Sequence, residues 1–254
     1  MGTVKLYKYL DFTGGLMMLH YSNLQFTNAT RLNDPFDCHP SLIDFSNVPK
    51  EACGGWTPGI IEKLRKEPFR RTREEAWICS LSKIHDSILM WSYYSKHKGI
   101  CIGLDMKKVR KYLSCIQGGI MIVCSEVEVQ YKDIVEKPNY FRDAEDFLRY
   151  QLSTKAKAWE HEQEVRLFIL DPWPTYMSLL PDQNDEKGPI DWKEVRAFPK
   201  IGGECFESVY LGINMNADEK SKIISVARNL NPDIKIYQMG IDANAFKLNT
   251  ELIK

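Results

Sequence analysis

The chain has 254 residues, of which 44% are hydrophobic and 27% charged, and its 34 basic side chains are matched by 34 acidic ones. This composition excludes a low-hydropathy disordered chain, and the charge balance argues against a protein that clamps long stretches of duplex nucleic acid, which needs a basic excess. The seven cysteines (Cys38, Cys53, Cys79, Cys101, Cys115, Cys124 and Cys205) are odd in number and form no CxxC pair, a pattern of reduced thiols rather than a disulfide framework. With no apolar run of membrane-span length and no signal peptide ahead of Val4, the expectation is a soluble, cytoplasmic chain with no membrane association.

In chain order, Val4 to Leu10 alternates and predicts a strand, with Leu6, Lys8 and Leu10 on one face and Lys5, Tyr7 and Tyr9 on the other. Gly14-Gly15 is read as its break and Leu16 to Leu19 as a short apolar segment. Leu24 to Thr27 predicts a second strand, and Asn28 to Asp37, rich in Asn, Asp and Pro, a structured loop. Residues 40 to 60 read as irregular. Ile60 to Glu75 reads as a charged helix interrupted by Pro68. Strands are predicted at Ala76 to Ser82 and Ile100 to Leu104, on either side of an aromatic helix from Asp86 to His97 that Gly99 ends. A short helix at Met106 to Leu113 and a β-rich run at Met121 to Tyr131 follow. Arg142 to Trp159 reads as one amphipathic helix. Glu164 to Leu170 is a strand, 171 to 192 a long surface loop, and Val209–Gly212, Ala217–Asn229 and Ile234–Met239 a strand, helix and strand. No linker divides the chain, so residues 1–254 read as one α+β domain.

Four groups of residues have the composition of a site. In a strand, residues two apart share a face, so Glu162, Glu164 and Arg166 line up where helix gives way to strand. Such carboxylates hold sugar hydroxyls or stabilise developing positive charge, and the bland alternative is a surface Glu-Arg ladder. Lys8, on an apolar strand face, needs an anion or a carboxylate partner, or else snorkels to the rim. Arg31 suits a phosphate. Ser80 and Ser82 share a strand face near the aromatic helix, whose Trp91 and Tyr94 either stack on a planar ring or belong to the core. The histidines and cysteines form no metal-ligand spacing, and no HExxH, GxSxG, P-loop or GxGxxG is present. The basic run 63–73 is a solvated face or a weak nucleic-acid contact.

Several of these segments together resemble a known bacterial family. They are Leu6-Tyr7-Lys8-Tyr9, Leu32-Asn33-Asp34-Pro35-Phe36, Ser80-Leu81-Ser82, Met90-Trp91-Ser92-Tyr93-Tyr94, Gly99 to Gly103, Trp159 with Glu162 to Leu167, and Tyr210-Leu211-Gly212. In order and spacing they resemble the family known as domain of unknown function 2971 (DUF2971). More distantly, the order of a basic residue on strand one, an arginine loop, a serine-bearing strand and a glutamate opening a later strand resembles the ADP-ribosyltransferase fold. Lys8 stands where the DNA-modifying branch of that fold has histidine. That resemblance implies a mixed or antiparallel split sheet with flanking helices, with NAD as substrate. It assigns catalysis to Glu164, assisted by Glu162, and places Lys8 and Arg31 on the pyrophosphate. Ser80 and Ser82 would position the ribose, and Tyr7, Trp91 or Tyr94 the nicotinamide. The acceptor would be nucleic acid or protein, in a toxin or phage-defence setting. Two alternatives stand beside it: a non-catalytic module that binds a nucleotide or a partner, and a metal-dependent hydrolase or nuclease in which Asp34, Asp86, Glu162 and Glu164 converge.

Overall fold

The structure, a computed structural model, describes residues 5–47, 57–60, 62, 73–114, 116–117, 120–121, 124–143, 146–170 and 196–253. The Pro68 interruption, most of the charged helix and the loop 171–192 lie outside them. In chain order the elements are β1 (Lys5–Leu10), α1 (Phe12–Tyr21), β2 (Phe26–Asn28), β3 (Ala76–Ser82), α2 (Ile88–Ser95), β4 (Ile100–Asp105) and α3 (Met106–Leu113). They continue with the two-residue pair β5 (Ile116–Gln117) and β6 (Ile120–Met121), then β7 (Cys124–Glu128), β8 (Gln130–Lys132), α4 (Phe147–Ser153) and β9 (Thr154–Ala156). A 3₁₀ turn at Lys157–Glu162 leads into β10 (Glu164–Leu170), followed by β11 (Arg196–Ala197), β12 (Phe206–Leu211), α5 (Ala217–Leu230), β13 (Lys235–Ile241) and β14 (Leu248–Ile253).

The main sheet is α+β in character, largely antiparallel and open, in the order β11-β2-β3-β1-β4-β12-β13-β14, with β10 paired to β3 and β7 paired to β10. Only β12 and β13 run parallel in it, joined by the α5 crossover. The sheet divides between β1 and β3. β3 pairs with β10 along its whole length, from Ala76↔Leu170 to Ser82↔Glu164. Against β1 it shares the single pair Tyr7↔Ser82, while β1 pairs with β4 from Lys5↔Asp105 to Leu10↔Ile100. β1 thus peels away from β3 and leaves a wedge between the two halves.

Period-two alternation sorts the apolar residues. Leu6, Ile102, Leu104, Val209 and Ile236 face α1, α3 and α5 in one core, and Tyr9, Cys101, Tyr210 and Met239 face Met90 and Trp91 of α2 in another. A third core gathers Cys38, Ile78, Val127, Leu152 and Phe168 beneath the β3–β10–β7 half. The described cysteines Cys38, Cys79, Cys101, Cys124 and Cys205 are free thiols. Among the described residues, no helix is long and apolar enough to cross a membrane.

Three elements differ from the sequence reading. Gly14 and Gly15 lie inside α1, capped by Asp11, whose carboxylate accepts from the Gly14 amide. A Cβ on Gly15 would stand 2.3 Å from Ile100 Cδ1, so packing on β4 selects glycine here against its low helix propensity. The helix α2 ends at Lys96, in the left-handed conformation at φ 51°, ahead of Gly99. Arg142 to Trp159 is not one helix: α4 stops at Ser153 and the chain passes into β9, paired in parallel with β8, and then the 3₁₀ turn. That change of path turns Lys155 inward.

Candidate functional site

A buried ionic network fills the junction of β3, β9 and β10. Arg166, fully buried on β10, receives Asp37 end-on: Nη1 donates to Oδ1 and Nη2 to Oδ2, both at 2.7 Å. On its other edge Nε donates to Glu164 Oε1 at 2.9 Å and Nη2 to Oε2 at 3.0 Å. Nη1 also donates to the Leu152 carbonyl at 2.9 Å. Lys155, 5% exposed, sets its ammonium among three carboxylates: Glu162, Glu164 at 3.0 Å and Asp37 at 3.7 Å. The same ammonium lies 5.1 Å from the centre of the Trp159 ring. Three acids against two bases leave one buried negative charge in excess, in a setting that tolerates charge only when it is paired and hydrogen-bonded.

The electrostatics follow from that packing. Burial pushes the Glu164 carboxyl up, but Arg166 and Lys155 outweigh it and hold the group well below the usual carboxylate range. Burial pulls the Lys155 ammonium down, and Glu164, Asp37 and Glu162 more than reverse it, so it stays charged above the ordinary lysine range. Burial raises the Tyr94 phenol, and the neighbouring Glu162 raises it further, fixing its hydroxyl as a donor. Burial pushes the Cys38 thiol up to about 12 against the pull of Arg166, which removes it as a nucleophile at neutral pH.

One side of the network opens on a cleft in the wedge between β1 and β3, lined by Tyr7, Lys8, Ser80, Ser82, Tyr94, Glu162, Glu164 and their neighbours. Lys8 crosses the wedge and donates to the Ser80 carbonyl at 2.8 Å. The Ser80 side chain adds to the cations that hold the Glu164 carboxyl low. Ser82 Oγ donates to the Glu162 carbonyl at 2.7 Å, and the Tyr94 hydroxyl donates to Glu162 Oε1 at 2.7 Å. The cleft has a volume of about 50 Å³, room for a few waters. Small-molecule sites run to about 300–1,000 Å³.

Seven of the nine residues to which the distant resemblance assigns a role meet here: Tyr7, Lys8, Ser80, Ser82, Tyr94, Glu162 and Glu164. Trp91 does not reach the cleft. It is fully buried in the α2 core, its indole N–H donating to the His85 carbonyl at 2.8 Å. Arg31 lies exposed in the 3₁₀ turn after β2 and is not part of the lining. Asp34 and Asp86 are not part of it either, so the four carboxylates of the metal-hydrolase alternative do not converge there. Among the described residues, no cluster of three or more His, Cys, Asp or Glu is arranged to hold a metal ion. Asp37 and Lys155, which complete the network, were not anticipated. Asp37 read as part of a turn and Lys155 as the surface of a long helix.

Residues 90–167 match the model of a protein family, Protein of unknown function (DUF2971). The matched DUF2971 segment runs from α2 into β10 and carries Tyr94, Lys155, Glu162, Glu164 and Arg166; Lys8, Asp37 and Ser80 come from outside it. Comparison with curated proteins and with solved structures gives no match.

Proposed function

We propose that the chain is an NAD-using ADP-ribosyltransferase-like protein that modifies nucleic acid or protein, with its site in the wedge between β1 and β3. The observation that carries this reading is the meeting of Lys8, Ser80, Glu162 and Glu164, from three separate stretches of chain, in one cleft. Rupture of the nicotinamide–ribose bond places positive charge on the ribose, and a preorganised surplus of buried carboxylate favours that charge. The roles differ from the simplest assignment. Both Glu164 oxygens are held by Arg166, and one of them also by Lys155, so Glu164 acts through these two cations, as a positioning residue. Glu162 accepts from Tyr94 and Lys155 and keeps unused lone pairs, so it is the carboxylate assigned to a ribose hydroxyl. Lys8 supplies the cation for a phosphate oxygen. A dinucleotide exceeds the present cleft, so its binding requires α2 to move away from the 157–162 turn.

The hold of Arg166 and Lys155 on the carboxylates and the 50 Å³ volume favour a second reading, a module that binds a nucleotide without turning it over. Nicotinamide release from NAD separates the two. The transferase reading expects release by the unaltered chain and at least about a hundredfold less from Glu162→Gln, with an unchanged circular-dichroism spectrum. Binding of NAD with no release by either protein leaves the binding module. Equal release by both removes Glu162 from the chemistry.

A further inference from the structure

The two-stranded ladder of β8 and β9 walls off the ionic network, and its other side faces a hollow. Alternation directs Tyr131 and Lys155, which are paired in the ladder, toward the network: the Tyr131 hydroxyl accepts from the Glu164 amide at 2.8 Å, and Lys155 holds the carboxylates. Their neighbours Gln130, Lys132 and Thr154 line a hollow of about 540 Å³ on the opposite side. That volume is about ten times the cleft's and falls within the range of small-molecule sites.

The chemistry of this hollow is that of an anion site. Lys132, Lys137 and Arg149 line it, with Glu136 as the lone acid. Lys132 is paired with Glu136 and lies over the Tyr150 ring at 5.5 Å. Neither Lys137 nor Arg149 has a carboxylate within ion-pair distance among the described residues, so the lining carries two cations in excess. Its inner wall is built from Ser153 and Thr154, 7% and 5% exposed, whose hydroxyls have no hydrogen-bond partner among the described residues. Gln130 adds an amide.

We propose that this hollow binds a small phosphate-bearing molecule of nucleotide size, with Lys137 and Arg149 on the phosphate and Ser153 and Thr154 donating from the wall. Guanidinium and ammonium groups beside hydroxyl donors match phosphate oxygens in charge and hydrogen bonding. The concave shape and the equal numbers of acids and bases in the whole chain favour a discrete small anion over a polynucleotide, which a basic stripe would track. Thr154 and Lys155 are adjacent on β9, so occupancy of the hollow bears on the strand that places Lys155 among its carboxylates.

Calorimetric titration with pyrophosphate and with AMP tests the assignment. The full chain is expected to bind at least one of them, and Lys137→Gln/Arg149→Gln to bind at least about tenfold more weakly. Both substituted side chains are exposed, so folding is preserved and a thermal melt verifies it. The same double substitution, which touches nothing in the other cleft, is expected to leave nicotinamide release from NAD unchanged, which separates the hollow from the proposed NAD site. Three results overturn the proposal: no heat with either probe, affinity unaffected by the double substitution, or tighter binding of a single-stranded oligonucleotide than of AMP.

Discussion

Arg166 and Asp37, 129 residues apart in the chain, meet through two parallel contacts of 2.7 Å with neither side chain more than 1% exposed. The pair ties the loop after β2 to the middle of β10. Removing one partner leaves a buried charge uncompensated, so Arg166→Met and Asp37→Leu are each expected to lower the unfolding free energy by about 3–5 kcal/mol in urea denaturation. The double variant is expected to recover a large part of that loss. Two additive losses would mean that the residues do not act as a pair.

Stability should depend on pH in a direction set by the network. The Glu164 carboxyl is depressed in the folded chain, so its contribution is present above the unfolded value of about 4.5 and is lost as pH falls toward its lower folded value. Lys155 is raised, so its contribution is full below about 10.5 and is lost only in stronger alkali, as pH rises through the folded value. The urea midpoint is therefore expected to fall on acidification below about pH 4.5, and the fall to be shallower in a Glu164→Leu/Arg166→Met variant. Equal acid slopes in the two proteins would remove Glu164 from the linkage.

Gly99 marks a close approach between backbones. A Cβ there would stand 2.1 Å from the Leu10 carbonyl oxygen, 2.7 Å from Ser95 Cβ and 2.9 Å from Asp11 Cα, none of them the free end of a flexible side chain. Gly99→Ala is expected to cost about 1–3 kcal/mol through displacement of α2 from β1. Gly59→Ala, with nothing within 4 Å of the added carbon, serves as the near-neutral comparison. Thermal melts of the two variants measure the difference.

The strands were legible in the sequence because alternation survives where one sheet face is covered differently from the other: Val4 to Leu10 and Glu164 to Leu170 both emerge as strands within a residue of their expected ends. The convergence of Lys8, Ser80 and Glu164 was legible as a pattern of residue types in a familiar order. What stayed hidden depends on contacts distant in sequence. Gly15 reads as a helix breaker until Ile100 is placed against it. Lys155 reads as the outer face of a helix until α4 ends at Ser153 and β9 turns it toward Asp37, Glu162 and Glu164. Trp91 carries the same aromatic signal as Tyr94, and only the position of α2 on the sheet makes one core and the other cleft.

The proposed function requires the wedge between β1 and β3 to receive a nucleotide, and Lys8 tests this most directly. It lines the cleft, bonds a peptide carbonyl and has no place in the ionic network, so Lys8→Met removes the cation and leaves Arg166, Lys155 and their carboxylates intact. In a calorimetric titration with NAD, the unaltered chain is expected to bind and Lys8→Met to bind at least about tenfold more weakly at an unchanged melting temperature. Equal affinity in the two proteins, or no binding by the unaltered chain, would contradict the account.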